Sequence, residues 1–223
     1  MSDEMIDKEM AKKLMLNVVK QYNSVTGKIP QVLFVVGGTA MAFHNMREQS
    51  EDVDLFFKDR DFEYAVKQVE AETGYRIDVT SEKNLWGDLV IPDIEKDAKV
   101  TDFFVFEGHD VQIAAISPET LAVIKASSMR EKDRLDISLI LKKTTPEEIL
   151  ARFACLWTSQ RPSVAKEALI NIVGEIQLAT KEPASPEWFK KVPTEIQKKW
   201  ANSLNENFGM SLSKKENDRG RTI

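Results

Sequence analysis

Asp52-Val53-Asp54 sets two carboxylates two residues apart within a short apolar stretch. If the stretch Asp52 to Phe57 is a strand, alternate residues share a face. Both acids then stand on one side while Val53 and Leu55 turn into the core. Carboxylates about 7 Å apart at their Cα atoms repel each other unless a cation sits between them. Mg²⁺ takes a few carboxylate oxygens together with substrate phosphate oxygens. Taken singly, the pair also reads as a solvated strand face beside Glu51, Lys58 and Asp59. Asp78, between Ile77 and Val79, completes a trio if its strand lies beside the first; Asp102, in Val100-Thr101-Asp102-Phe103, is the other candidate for that place. Three acids can hold two metal ions, one at the nucleophile and one at the leaving phosphate.

A second feature precedes the acids. Val32 to Val36 is a buried-strand pattern, and Gly37-Gly38 ends it ahead of a short helix predicted over 39–46. Two glycines let the backbone turn tightly and approach a ligand. The following helix start offers free N–H groups to phosphate, with the Thr39 hydroxyl as a further contact. Alone, Gly-Gly after a strand is more often just a turn. Thirteen residues, 39–51, separate Gly38 from Asp52.

In combination these features resemble the nucleotidyltransferase superfamily, which shares a fold with DNA polymerase beta. The stretch Val36-Gly37-Gly38-Thr39, followed by Arg47, Ser50 and Asp52-Val53-Asp54-Leu55, is similar to its AbiEii-like toxin and minimal nucleotidyltransferase-like branch. So is a later block with Lys125, Arg130, Lys132, Asp133, Arg134 and Asp136. The resemblance covers roughly residues 31–142. It implies that Gly37 and Gly38 hold a nucleoside triphosphate through backbone N–H groups, with Thr39, Ser50 and Arg130 nearby. It implies that Asp52, Asp54 and Asp78 bind Mg²⁺, with Asp78 activating an acceptor hydroxyl. Lys125 matches the active-site lysine of the branch, and Asp136 the last acid of its block. The implied acceptor is a tRNA 3′ end or a protein, and the implied setting a bacterial toxin with an antitoxin protein, or phage defence. Two other readings stay open: a catalytically idle nucleotidyltransferase-like module that binds protein, and an enzyme that modifies a small molecule such as an antibiotic.

The surrounding elements must position these groups. The chain has 223 residues, 42% hydrophobic and 30% charged, with a net charge of −5. A general basic coat for nucleic acid is excluded. Residues 1–145 carry 19 basic and 26 acidic residues, and 146–223 carry 12 and 10. The pattern predicts an α/β nucleotidyltransferase-like domain over 1–145, with a small mixed sheet flanked by helices. A C-terminal helical region follows over 146–210, then a flexible tail over 211–223. Helices are expected at 3–22, 61–73, 117–141 with a break near Arg130, 146–157, 162–179 and 193–206; a hairpin is expected around Glu107 to Asp110. A loop is expected around Trp86-Gly87. Cys155 lacks a disulfide partner and reads as a buried helix residue in a reducing cytoplasm. His44 and His109 read as structural and exposed, and the four Trp residues, three of them past Pro146, as packing anchors. The longest uncharged run, Ile29 to Met46, contains Pro30, Gln31 and two glycines and does not suit a membrane.

Overall fold

The computed structural model describes residues 5–80, 89–128 and 130–212. The predicted Trp86-Gly87 loop and the tail from residue 213 on lie outside the described residues. The elements in chain order are β1 (Ile6–Asp7), α1 (Lys8–Thr26), β2 (Val32–Val35), α2 (Gly37–Phe43), β3 (Gln49–Ser50), β4 (Val53–Phe56), α3 (Arg60–Thr73), β5 (Ile77–Thr80), α4 (Ile94–Asp97), β6 (Lys99–Phe106) and β7 (His109–Ala115). Then come α5 (Pro118–Ser128), α6 (Glu131–Ile140), α7 (Pro146–Leu156), α8 (Pro162–Thr180) and α9 (Thr194–Phe208), with 3₁₀ turns at Trp157–Ser159 and Pro186–Phe189. The class is α/β. No helix among the described residues is long and apolar enough to cross a membrane.

Five strands form a mixed sheet in the order β5-β4-β2-β7-β6, and β1 pairs with β3 in a separate two-stranded ribbon. That ribbon is absent from the sequence reading, because two-residue strands carry no alternation; Ile6 was inside the helix expected at 3–22. α1 starts at Lys8, where the Asp7 carboxylate accepts the Met10 N–H at 2.7 Å. β4 runs antiparallel to β2 but parallel to β5, whose connection passes through α3. Val53 and Leu55 are buried, so alternation turns Asp54 to the other face. β6 and β7 form the expected hairpin, but its turn is only Glu107-Gly108; φ of 48° and 78° there gives the two-residue turn that matches strand twist.

Helices α5 to α8 pack on one another, and α5 touches α6, α7 and α8. The expected break near Arg130 is present: α5 ends at Ser128 and Arg130 caps α6. α7 is opened by a capping box, Thr145 with Glu148. Its Phe153, and Trp157 of the 3₁₀ turn that follows it, meet Trp200 of α9 at 5.7 Å and 5.5 Å between ring centroids, and Phe189 closes the cluster at 6.2 Å from Trp200. Cys155 is exposed rather than buried. Its neighbours Phe153, Ala154 and Leu156 take the inward positions of the turn and leave it on the outer side. Phe153→Ala should remove about 3–5 kcal/mol of stability through the cavity it leaves, measured by urea unfolding.

Candidate functional site

The parallel register of β4 and β5 sets Asp54 directly opposite Asp78. Asp52, two residues before Asp54, joins them: one carboxylate oxygen from each of Asp52, Asp54 and Asp78 lies within 4.8 Å of the others. Asp102 stays outside this trio. It is held by Lys8 at 2.9 Å and Lys12 at 3.1 Å, on the side of the sheet where α1 lies.

Gly37 and Gly38 serve the acids by being small. At Gly37, with φ +52°, a Cβ would lie 2.2 Å from Asp54 Oδ2; at Gly38 it would lie 2.4 Å from Ser50 Oγ. The Gly38 N–H donates to Asp54 Oδ2 at 2.9 Å. The family resemblance assigns that N–H to a triphosphate. Here it is already bonded, because the missing Cβ lets the carboxylate close onto the turn. Thr39 also departs from its expected role. Its hydroxyl is buried, accepts the Asp54 N–H at 2.8 Å and donates to the Asp52 carbonyl at 3.2 Å. It ties α2 to the acidic strand, with its hydrogen committed to the Asp52 carbonyl. Ser50 is buried too, with its hydroxyl 3.5 Å from Asp52 Oδ1.

Burial pushes the Asp54 carboxyl up to about 7, and the charges of Asp52 and Asp78 push the same way, against the Gly38 hydrogen bond and Lys125. Arg76 answers part of this charge. Its guanidinium meets Asp78 at 2.6 Å and comes within 4.0 Å of Asp52, and the hydrogen bond and charge of Asp78 hold its pKa above the ordinary value. The donor set suits a hard divalent cation: three carboxylates and no sulfur or imidazole. One of the three sits near neutral pH, where a cation would re-ionise it.

Opposite the acids lies the block 125–136. Lys125 is buried, and its ammonium is held by Asp136 at 2.6 Å and Asp133 at 3.0 Å. Asp133 also accepts from Ser128 at 2.5 Å and Arg130 at 2.6 Å. Burial works against its ionisation, but these hydrogen bonds and the Lys125 charge hold its carboxyl below the usual range. Asp136 has a further cation, Arg47, at 3.7 Å. Asp136 therefore touches Lys125 and Arg47, not the acidic trio. Two exposed members of the block reach other elements: Lys132 meets Glu51 at 3.2 Å and Arg134 meets Glu175 of α8 at 3.1 Å.

Between trio and block runs a cleft of about 470 Å³ whose walls include Gly37, Asp54, Lys125, Ser127, Ser128 and Arg130. Leu121, Ile124, Val164 and Ala168 give it an apolar side, and Glu167 and Asn171 of α8 give it a polar rim. The volume falls within the range of small-molecule sites.

This chain matches no protein-family model, no curated protein and no solved structure.

Several residues of this site escaped the sequence reading. Arg76 is next to Ile77 in an ordinary strand pattern, and only the pairing of β4 with β5 reveals what it faces. Arg47 entered only as part of a motif. The α8 wall, residues 164–171, carries no recognisable motif; its signal is limited to Val164, Glu167, Ala168 and Asn171 falling at helical spacing on one face.

Two expected outcomes follow from the electrostatics. Because the folded-state pKa of Asp54 is raised, its protonated form is the one the fold favours. Stability should decline as pH rises from about 4 towards the folded value of about 7, and level off above it. Asp54→Asn keeps an acceptor for the Gly38 N–H. It should gain about 1 kcal/mol or more at pH 8 and little at pH 4, read by thermal unfolding across pH. Arg76→Ala removes the competing cation and should raise Mn²⁺ affinity about fivefold, measured by titration calorimetry.

Proposed function

We propose that the protein is a Mg²⁺-dependent nucleotidyltransferase. The observation that carries this reading is the convergence of Asp52, Asp54 and Asp78 within 4.8 Å, facing a buried lysine across a cleft of nucleotide size. The mixed sheet with its acids on paired strands agrees with the nucleotidyltransferase fold that the sequence motifs resemble.

Asp52, Asp54 and Asp78 would hold the cation, with room for two. When bound, Mg²⁺ supplies charge neutralisation at the phosphates and stabilises the attacking and leaving oxygens of an in-line displacement. The chain's own groups do the rest. Arg130 offers the guanidinium N–H groups that Asp133 does not use to phosphate oxygens at the cleft wall. Lys125 keeps a positive charge against the triphosphate, fixed in place by Asp133 and Asp136 rather than free to swing. Asp136 is on this view a positioning residue. The apolar wall of α5 and α8 takes the nucleoside. Asp78, the most exposed of the three acids at 44% of its side chain, lies on the open side and receives the acceptor hydroxyl proton. The acceptor oxygen bonds to the α-phosphorus as the bond to pyrophosphate breaks. An RNA end or a protein hydroxyl is the acceptor the family resemblance favours, in a toxin paired with an antitoxin.

A second reading, an idle protein-binding module, draws support from the Arg76–Asp78 pair, since a guanidinium already satisfies one of the acids. The two readings separate in one experiment. Each α-labelled nucleoside triphosphate is incubated with the protein, Mg²⁺ and a cell extract. An active enzyme transfers label to RNA or protein, loses this with chelator, and loses about a hundredfold or more in Asp54→Ala. Absence of label in every fraction with all four triphosphates would leave the idle module as the better reading.

A further inference from the structure

The sheet ends on two unlike edges. β5 is short, four residues, and carries Asp78 with Arg76 just before it. Short, charged edges resist pairing with other chains. β6 is eight residues long and, among the described residues, has only β7 as a neighbouring strand. No charge and no proline falls between Phe103 and Phe106. Val100, Phe103 and Val105 are 56%, 54% and 57% exposed.

These three share one face. Val100 pairs with Ala114 and Phe103 with Gln112, two residues apart on β7, because the irregularity between Val100 and Asp102 adds one residue to β6. Asp102, which would otherwise charge the strand, is turned to the opposite face and neutralised by Lys8 and Lys12. The backbone also favours an added strand. A two-residue turn makes Phe106 and His109 a hydrogen-bonded pair, and such pairs alternate along an antiparallel ladder. The N–H and C=O groups of Phe103 and Val105 therefore point away from β7.

From this geometry we propose that β6 is a self-association surface on which a second copy of the chain adds antiparallel, joining two five-stranded sheets into one. The sequence of the edge is self-complementary about Phe103. With Phe103 opposite its own copy, Val100 falls opposite Val105 of the second copy, and Val105 opposite its Val100, with Thr101 taken up by the bulge. All three exposed apolar side chains are then matched on one face. The charges agree with the same arrangement: Lys99 at one end of the strand comes beside Glu107 of the second copy at the other end, twice. A two-fold pairing of this kind closes on itself and does not propagate into fibres. The proposal is independent of what the acidic site does.

Sedimentation velocity of the full chain across ~1–100 µM tests it. A concentration-dependent dimer is expected. Phe103→Lys and Val105→Lys should each weaken dimerisation at least about tenfold. Leu178→Lys, an exposed apolar position on α8, should not, and thermal unfolding checks that each variant is folded. In a Cys155→Ser background, Phe103→Cys should form a disulfide-linked dimer on mild oxidation, since directly paired residues lie within disulfide reach, whereas Val105→Cys should not. A monomer at the highest concentration overturns the proposal. So does a dimer that ignores the lysine variants, or one in which Cys at 103 fails to cross-link.

Discussion

The contact between Asp54 and the Gly37-Gly38 turn is the constraint on which the rest of the site depends. A carboxylate can sit this close to backbone only because Gly37 lacks a Cβ, while the missing Cβ of Gly38 makes room for the Ser50 hydroxyl. Once it is there, the Gly38 N–H fixes its orientation, and Thr39 fixes the backbone behind it. The cost is a negative group pressed into a half-buried place beside two others. A hydrogen bond to a charged group contributes about 1.5–3 kcal/mol, which offsets part of the repulsion and desolvation but not all. The carboxyl is left near neutral pH, and the fold retains a local demand for positive charge.

That demand is met at two depths. Arg76 meets it at the surface, through an exposed guanidinium just before the edge strand that carries Asp78. Lys125 meets it from below, across the cleft. The lysine is itself costly to bury, and Asp133 and Asp136 hold its ammonium at 3.0 Å and 2.6 Å. Arg130, Ser128 and Arg47 in turn satisfy those acids. Loss of one partner from such a buried set is destabilising out of proportion to its share, because the remaining charge is stranded. The block from 125 to 136 therefore couples the folding of α5 and α6 to the electrostatics of the cleft.

What the sequence made legible is what local periodicity encodes. Asp52 and Asp54 could be placed on one face because Val53 and Leu55 had to be buried, and the hairpin and the break at Arg130 announced themselves through turn and cap residues. Asp78 and Asp102 could not be separated, because the choice rests on which strand neighbours β4, a long-range fact. The same limit hid Arg76. Gly37 and Gly38 were legible as important, but their employment was not. Glycines that admit a phosphate and glycines that admit a carboxylate look alike in one dimension. Cys155 was misplaced for a different reason. An apolar neighbourhood in sequence, Phe153 to Trp157, does not fix an angle around a helix, and one residue of rotation moved the thiol from core to solvent.

The direct opposition of Asp54 and Asp78 across paired strands has one more consequence. Adjacent strands are held about 4.8 Å apart by their hydrogen bonds, so the separation of the two Cα atoms that carry these groups is measured out by main chain and not by rotamers. A divalent ion and its coordination shell have nearly this span, which makes the ladder a ruler whose graduation no side-chain repacking can alter. Drift elsewhere in the molecule could reshape the cleft, its rim or its helices and leave that gauge unchanged. Only a slip in register would recalibrate it.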